Sequence, residues 1–472
     1  MSISFFRTPG GSVIATEADH RLNAEEIEKL CWLYGGATVE TEDGLKGCFV
    51  GPRREMITPW STNAVEITQN MSLSGISRIE EYFPVEDEHV GHDPMLQRMY
   101  KGLDQDIFTV DIQPAPIVYI EDLEEYNEQE GLALSPEEIE YLHQVEGQLG
   151  RKLTDSEVFG FAQINSEHCR HKIFGGTFII DGKEMESSLF QMIKKTTQEN
   201  PHKIISAYKD NVAFAQGPVV EQFAPKDHST SDYFVIKDIE SVISIKAETH
   251  NFPTTVEPFN GASTGTGGEI RDRMGGGVGS WPIAGTAVYM TSYPRTDEGR
   301  DWEDILPVRR WLYQTPEQIL IKASNGASDF GNKFGQPLIT GSVLTFEHQE
   351  NGERYGYDKV IMLAGGVGYG TKRDCLKGTP QKGNKVGGDN YRIGLGGGSV
   401  SSVDTGRYSS GIELNAVQRA NPEMQKRANN LVRALCEEDV NPVVSIHDHG
   451  SAGHVNCLSE LVEECGGLID MS

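Results

Sequence analysis

Hydrophobic residues in the first third of the chain recur every three to four positions, which predicts amphipathic helices. Asn23 begins the first helix, because Glu26 completes a capping box with it. Residues 121–130 are mostly acidic and are predicted to form a solvated linker. Capping residues Ser135 and Thr154 begin two more helices. The second of these runs into a cluster of polar, titratable residues.

Runs of β-branched and aromatic residues further along the chain predict strands. Glycine-rich turns separate these runs and helical patterns alternate with them, so we expect an α/β (α+β) fold. Asn421 and Pro422 begin another helix near the end. The predicted strands are 177–180, 233–246, 286–293, 360–364, 391–395 and 443–446.

Changes in composition divide the chain into four predicted segments. A polar stretch rich in glycine and lysine, residues 377–388, is interpreted as a hinge. The chain stops where a new strand is predicted to start, so we expect a fragment of a longer protein. The predicted segments are 1–118 (a small N-terminal α/β domain), 119–170 (a helical linker), 171–385 (a mixed domain) and 386–472 (the start of another domain).

The charge of the chain excludes some partners. The 472 residues carry a formal net charge of −28, which repels nucleic acids and anionic membranes. Seven cysteines are scattered without a CxxC pair, which is typical of a reduced, cytoplasmic protein. Neither a signal pattern nor an apolar run long enough to span a membrane is present in the sequence.

The most unusual stretch of the sequence is 246–273. Glu248 and Asp272 offer the oxygen ligands that Mg²⁺ prefers, and His250 can carry a proton near neutral pH. Alternation along a strand would put Glu248 and His250 on one side. Residues 261–272, rich in glycine, predict a turn whose N–H groups approach a phosphate. Rossmann and P-loop motifs are missing, so this turn is the candidate nucleotide site.

The polar cluster that ends in His171 allows three interpretations. Cys169 could be a thiolate nucleophile beside His168, although neighbouring residues point apart on a helix. The two histidines could bind zinc, although a second ligand pair at structural-zinc spacing is missing. They could also contact phosphate or substrate.

A second cluster, residues 447–454, follows the predicted strand 443–446. Ligands favour this position in α/β proteins, and Asp448 is suited to Mg²⁺. A zinc site made by His447, His449 and His454 is the alternative. The neighbouring glycines favour phosphate or carboxylate chemistry instead.

Together these clusters resemble the phosphoribosylformylglycinamidine synthase family in its large, single-chain form. The resemblance is weaker before residue 119 and rests on these motifs: Gln-Ile-Asn-Ser-Glu-His-Cys-Arg-His-Lys, Lys-Ala-Glu-Thr-His-Asn, Gly-Ala-Ser-Thr-Gly-Thr-Gly-Gly-Glu-Ile-Arg-Asp, Val-Gln-Arg-Ala-Asn-Pro-Glu-Met and Ser-Ile-His-Asp-His-Gly.

The resemblance implies a ligase of purine biosynthesis. It converts formylglycinamide ribonucleotide, ATP and glutamine-derived ammonia to formylglycinamidine ribonucleotide, ADP and phosphate. The implied layout is an N-terminal domain, a linker, an aminoimidazole-ribonucleotide-synthetase-like A-type ATP-binding domain (171–385) and the start of its B-type domain (386–472). A second synthetase half and a glutaminase domain would be the remaining partners.

The resemblance also implies roles for individual residues. His168 and His250 match catalytic positions, and Thr249, Asn251, Arg271 and Gln418 match substrate contacts. Glu248, Asp272 and Asp448 match magnesium ligands. The positions that match ATP contacts are His171, Lys246, Gly261, Ala262, Ser263, Thr264, Gly265, Thr266, Gly267, Gly268, Glu269, Ile270, Arg271 and Asp272.

Some residues depart from the family pattern. Phe252 stands where a second histidine is frequent, and His449, Ser451 and Ala452 alter the usual small turn. Two alternatives to the ligase stay open. One is a non-catalytic nucleotide-binding or docking module, and the other is a different member of the same ATP-binding superfamily.

Overall fold

The computed structural model describes most of the chain, and contact density divides it into two units, Met1–Pro116 and Ile117–Ser472. Gln418 and the predicted strand 391–395 lie outside the described residues. In the described part, no helix is long and apolar enough to cross a bilayer. The described residues are 1–54, 57–86, 91–92, 97–110, 116–166, 168, 171–231, 233–296, 300–304, 306–307, 313–387, 417 and 421–468.

The first unit is an antiparallel sheet with two helices. Its described strands are β1 (Ser2–Arg7), β2 (Val13–Ala18), β3 (Thr38–Val39), β4 (Leu45–Pro52), β5 (Ile76–Val85) and β6 (Gln97–Leu103). They lie in the order β3-β1-β2-β5-β4-β6. The helices are α1 (Ala24–Leu33), whose predicted capping box is confirmed, and α2 (Pro59–Asn70).

Both faces of this sheet are buried. Phe5 and Phe6 are adjacent in β1 and so point to opposite faces. Phe6 joins the cluster that includes Leu30 of α1 and Ala64 of α2. Phe5 packs with Phe49, Tyr82 and Tyr100 on the other face. A hydrophobic core on each side explains how about a hundred residues form a compact unit.

The second unit begins with helices: α3 (Leu123–Glu130), α4 (Pro136–Leu149), α5 (Asp155–Ile164), α6 (His171–Gly175) and α7 (Leu189–Glu199). Most of the predicted solvated linker at 121–130 forms α3, and most of its side chains are exposed, as the acidic composition predicts. Leu123 is fully buried with Leu132 and Leu142, and Asp122 caps the helix. The predicted caps at Ser135 and Thr154 are confirmed.

A second sheet forms the centre of this unit. Two short strands, β7 (Ile179–Ile180) and β8 (Lys183–Glu184), precede it. The described sheet has the order β13-β12-β16-β11-β10-β9, and β12 and β13 pair in parallel. The remaining strands are β9 (Ile204–Ser206), β10 (Ala213–Pro225), β11 (Phe234–Thr249), β12 (Trp281–Thr291), β13 (Leu338–Thr345), β14 (Glu347–Glu350), β15 (Glu353–Gly356) and β16 (Ile361–Thr371).

Most strand predictions are confirmed within a few residues, and one is wrong. The segment 443–446 forms no strand, since a ladder needs a partner strand and the described contacts give the segment a single backbone bond, from Gly378 N to Val444 O (2.7 Å). The mixed helix-and-sheet fold class is confirmed. The later helices are α8 (Asn251–Val256), α9 (Pro258–Met274), α10 (Pro316–Phe334), α11 (Pro422–Glu437) and α12 (Gly453–Leu461).

Helix α9 replaces the predicted glycine-rich turn, so that prediction is wrong. Glycine is a poor helix former, which is why composition favoured a turn. Here the absent side chains allow close packing. A Cβ on Gly261 would meet the backbone of Pro253, and one on Gly267 would lie 2.7 Å from Phe330. Tertiary packing therefore outweighs local helix propensity.

A buried polar cluster of Arg273, Glu269 and Gln336 fixes α9 to its neighbours. Arg273 and Glu269 form an ion pair one helical turn apart, and both side chains are fully buried. Gln336 donates to Glu269 (2.6 Å), and Arg273 donates to the carbonyl of Val367 in β16 (2.6 Å). A buried ion pair satisfied on every side fixes the orientation of the helix that carries it.

We predict that Gly326→Ala in α10 destabilises the chain. The new Cβ would overlap the backbone of Phe259 in α9, so the two helices would have to separate. The expected loss is about 1–3 kcal/mol of unfolding free energy in urea titrations.

Gly147→Ala in α4 is the matched control, because its Cβ would meet nothing within 4 Å. This variant should gain roughly 0.5–1 kcal/mol. If both variants changed the unfolding free energy by the same amount and in the same direction, the proposed close approach of α9 and α10 would be contradicted.

Candidate functional site

An ion-paired cluster forms where β11 faces the last turn of α9. Lys246 and Glu248 alternate along β11 and therefore lie on one face, with 3.6 Å between Nζ and Oε2. Asp272 of α9 brings Oδ2 to 2.6 Å from Nζ of Lys246. Asn211, just before β10, donates to Oδ1 of Asp272 at 3.3 Å. Side chains from β11 and from the segment before β10 thus converge on Asp272 of α9.

The carboxylates of this cluster repel one another. Burial and the neighbouring Asp272 raise the pKa of Glu248 to about 8. Burial and Asp448 likewise raise the pKa of Asp272. Burial alone would lower the pKa of Lys246, but Asp272 and Glu248 outweigh it and raise the pKa. The cluster therefore holds a lysinium beside carboxyl groups whose charged forms are disfavoured by burial and by mutual repulsion.

Arg271 lies beside this cluster. Its Nε is 3.5 Å from Oδ2 of Asp448, and its Nη1 donates to Oε1 of Gln425 at 3.3 Å. Asp448 lies in the loop before α12, so the predicted cluster 447–454 does contact the predicted stretch 246–273. Two cations and three carboxylates share the site.

His250 is the neutral base of the site. It follows the end of β11 and precedes α8, and its backbone N–H donates to Met362 O (2.8 Å). Burial, together with the nearby Arg271 and His168, lowers its pKa to about 4 against an opposing hydrogen bond with the backbone of Gly261. Its Nδ1 is buried without a hydrogen-bond partner among the described residues. A neutral imidazole with a free ring nitrogen can accept a proton.

His168 lies close enough to His250 to affect its pKa. Although much of the residue surface is exposed, packing around the ring and the nearby His171 lower the pKa of His168. Cys169 lies outside the described residues, so the thiolate hypothesis stays untested. The catalytic assignment of the two histidines stays a prediction.

The metal hypotheses have different outcomes. Among the described side chains, no group of three or more His, Cys, Asp and Glu is arranged to hold a metal ion. His449 and His454 instead hydrogen-bond to each other, with 2.7 Å between their ring nitrogens. The zinc alternative at 447–454 is therefore wrong. Glu248, Asp272 and Asp448 do gather, but around Lys246 and Arg271.

Some predicted contacts lie away from this cluster. His171 packs edge-on against the ring of Phe190, at 5.6 Å between centroids. Thr249 is exposed and, by alternation, lies on the sheet face opposite Glu248. Asn251 accepts the N–H of Met362 with its side chain (3.0 Å). These positions stay predictions.

The glycines of α9 shape the site instead of forming a loop. A Cβ on Gly268 would overlap the carboxylate of Glu248, and one on Gly265 would lie 2.9 Å from Cβ of His250. The backbone N–H groups in the interior of the helix are already bonded within it. Buried helix positions comprise Gly261, Ala262, Ser263, Thr264, Gly265, Thr266, Gly267, Gly268, Glu269, Ile270 and Asp272.

Sequence reasoning missed two residues of this site. Asn211 precedes a strand without any motif, so no signal marked it. Gln425 lies on the first turn of α11, one residue after the end of the recognised motif 417–424. Its contact with Arg271 depends on how α11 packs, which sequence spacing does not determine.

We predict that the pH dependence of the unfolding free energy reveals the raised pKa of Glu248. Folding raises the pKa of Glu248, so its contribution to stability falls as pH rises from its ordinary value towards 8. Glu248→Gln removes this titration. The variant should therefore gain about 1–2 kcal/mol relative to wild type between about pH 5 and about pH 9, allowing for solvent screening.

Glu347→Gln is the control. Arg295 outweighs the effect of burial and lowers the pKa of Glu347, so this group stays ionised across the same interval. Its effect on the urea-unfolding free energy should not change with pH. A pH-independent difference for Glu248→Gln would contradict the raised pKa.

Comparison with known families locates three matching regions. Residues 12–105 match the formylglycinamide ribonucleotide amidotransferase N-terminal family. Residues 123–172 match the linker domain of the same amidotransferase. Residues 382–472 match the C-terminal domain of AIR synthase related proteins.

Two curated relatives are similar over most of this chain. The phosphoribosylformylglycinamidine synthase of Dictyostelium discoideum is 34% identical over 96% of the chain and 37% of its own length. A probable chloroplastic/mitochondrial phosphoribosylformylglycinamidine synthase of Arabidopsis thaliana is 36% identical over 89% of the chain and 32% of its own length. The chain thus spans about a third of these relatives.

Solved structures of Thermotoga maritima PurL are also similar. PurL complexed with FGAR is 22% identical, with a TM-score of 0.42 over 69% of this chain and 42% of PurL. The form complexed with ATP gives 20% identity and a TM-score of 0.39 over 69% and 40% of the two chains. From the family matches and the curated relatives, the chain belongs to the formylglycinamide ribonucleotide amidotransferase (phosphoribosylformylglycinamidine synthase) family.

Proposed function

We propose that the chain is part of an ATP-dependent carbon-nitrogen ligase with glutamine as amido donor. The ligase converts formylglycinamide ribonucleotide, glutamine-derived ammonia and ATP to formylglycinamidine ribonucleotide, ADP and phosphate. The named activity of the curated relatives supports this proposal. So do the solved structures of PurL in complex with FGAR and with ATP.

One observation carries the proposal for this chain. His250, whose ring nitrogen Nδ1 is buried, lies close enough to Arg271 for that charge to lower its pKa, and Arg271 pairs with Asp448 beside the cluster around Lys246. Phosphoryl transfer needs positive charge and positioned donors, and amide chemistry needs a base. This part of α9 and β11 supplies both types of group within one site.

The proposed reaction has two stages. The amide oxygen of the substrate attacks the γ-phosphorus of ATP and the bond to ADP breaks, which gives an iminophosphate. Ammonia then adds to the activated carbon, phosphate leaves, and a proton passes from nitrogen to a histidine. His250 accepts this proton at Nδ1, and Lys246 and Arg271 offset the negative charge of the phosphoryl group.

Magnesium is proposed as the cation that accompanies ATP. The donor chemistry fits, because Glu248, Asp272 and Asp448 are hard oxygen ligands. Neighbouring carboxylates raise the pKa of Glu248 and of Asp272, and a divalent cation would relieve this repulsion. Mg²⁺ in such sites is usually held by one or two carboxylates together with substrate phosphates. When bound, it would neutralise phosphate charge.

The proposal also assigns each segment of the chain to a domain of the ligase. Residues 1–118 form the N-terminal domain, 119–170 the linker, 171–385 the A-type ATP-binding domain and 386–472 the beginning of the B-type domain. Further synthetase and glutaminase domains are the proposed partners, and the cytoplasm is the proposed location. Among the substrate contacts, Gln418 lies outside the described residues and is proposed from its motif alone.

Two alternatives remain distinguishable. A nucleotide-binding or docking module without activity would bind ATP yet show no turnover in any form that carries this chain. Another member of the same ATP-binding superfamily would prefer a different phosphate acceptor.

We predict that titration calorimetry detects binding of ATP with Mg²⁺ and of formylglycinamide ribonucleotide to this chain. Asp448→Asn should weaken magnesium-dependent ATP binding severalfold, because it removes a carboxylate beside Arg271. Asp439→Asn, at an exposed carboxylate paired with Lys237, is the control and should bind as wild type. Absence of binding by both ligands would contradict the proposed function.

We also predict that His168→Ala lowers ammonia-dependent turnover in the protein that carries this chain. The expected loss is about 100-fold, which is typical when a general acid or base is removed. The exposed surface histidine variant His348→Ala should keep wild-type turnover, and both variants should keep wild-type thermal stability. Unchanged turnover in His168→Ala would refute the catalytic assignment.

A further inference from the structure

Gln425 joins α11 to the site by both ends of its amide. Its Nε2 donates to the carbonyl of Gly267 in α9 (2.9 Å), and its Oε1 accepts from Nη1 of Arg271 (3.3 Å). The residue is only 8% exposed. A buried amide with donor and acceptor both engaged is fixed in one orientation, because a flip would place like groups together.

The groove around Arg271 is shaped for its guanidinium. A Cβ on Gly267 would lie 3.2 Å from Nη1, and one on Gly268 would lie 3.5 Å from Nη2, so side chains at these positions would crowd the group. Asp448 approaches Nε at 3.5 Å from another side. The long arginine side chain is therefore held by α11, by the loop before α12 and by the backbone of its own helix.

Ordering the Arg271 side chain in advance lowers the entropic cost of binding a ligand. A free arginine side chain loses rotamer entropy when it is ordered, and it is among the side chains with the most to lose. If neighbouring groups order it before a ligand arrives, that loss does not fall on binding. About a quarter of the Arg271 side chain is exposed, so the group remains accessible while its direction is set.

We infer that Gln425 is a positioning residue that orients Arg271 towards the ribonucleotide substrate. The inference rests on the proposed function, in which Arg271 contacts that substrate. Gln425 acts through Arg271 and does not itself touch the reacting atoms. The contact also links α11, which follows the predicted hinge 377–388, to the helix that carries Asp272.

The test is a double-mutant cycle of Gln425→Leu and Arg271→Met, with binding of formylglycinamide ribonucleotide measured by calorimetry. Leucine keeps the apolar volume against α9 but removes both hydrogen bonds. We expect about tenfold weaker binding in Gln425→Leu. The double variant should bind no worse than Arg271→Met alone, because a positioning residue has no effect once its target is gone.

Two further variants separate positioning from packing. Gln425→Glu keeps an acceptor for Arg271 and should recover most of the lost affinity, although it cannot donate to Gly267. Asn429→Leu alters another buried polar residue of α11 and should bind as wild type. Additive effects in the cycle, or equal losses in Gln425→Leu and Asn429→Leu, would overturn the inference.

A spectroscopic measurement keeps the inference testable if the wild-type chain does not bind the ribonucleotide. The Nε–H resonance of Arg271, labelled with ¹⁵N-arginine and assigned by its loss in Arg271→Met, should shift and broaden in Gln425→Leu but not in Asn429→Leu. If the chain does not bind the ribonucleotide but the resonance shifts in Gln425→Leu, the proposed function is refuted and the positioning role is supported. An unchanged resonance in Gln425→Leu would overturn the positioning role directly.

Discussion

The separation between helix α9 and strand β11 sets the distances at the centre of the candidate site. Lys246 and Glu248 belong to the strand, and Arg271 and Asp272 belong to the helix. Gly265 and Gly268 permit the approach, because a side chain at either position would collide with His250 or Glu248. A single methyl group would therefore move charges that now interact over less than 4 Å.

Close approach makes the electrostatics of the site strong. Charges held in a partly desolvated place interact more strongly than on an open surface, because water screens them less. The pKa of Glu248 rises and that of His250 falls for the same physical reason, since burial disfavours whichever form is charged. The two groups consequently stay near neutrality while Lys246 remains a cation, an arrangement suited to an anionic ligand.

Local signals in the sequence predicted much of the fold and part of the site. The capping boxes at Asn23, Ser135 and Thr154 are confirmed, since they involve residues three positions apart. Strand β11 was predicted from its β-branched residues and ends three residues later than expected. That Lys246 and Asp272 belong to one site was predicted only from the family resemblance. Periodicity alone does not give the distance between two elements.

The failures have a common physical origin in tertiary packing. Residues 261–272 contain too much glycine for an isolated helix, and contacts with β11 and α10 stabilise the helix that composition argued against. Residues 443–446 have the composition of a buried strand, but strand formation depends on a neighbour that sequence does not identify. Gln425 escaped notice because the position of α11 relative to α9 determines its role.

The long-range contacts of Arg271 have a consequence for synthesis of the chain. Gln425 and Asp448 are 154 and 177 residues further along the sequence. At ribosomal rates of about 5–20 residues per second, roughly 10 to 35 s pass between the synthesis of α9 and that of its last partner. During this interval a charged, glycine-rich segment has emerged without the groups that complete it. A nascent chain that stalls before residue 448 would therefore hold Arg271 without its last partner.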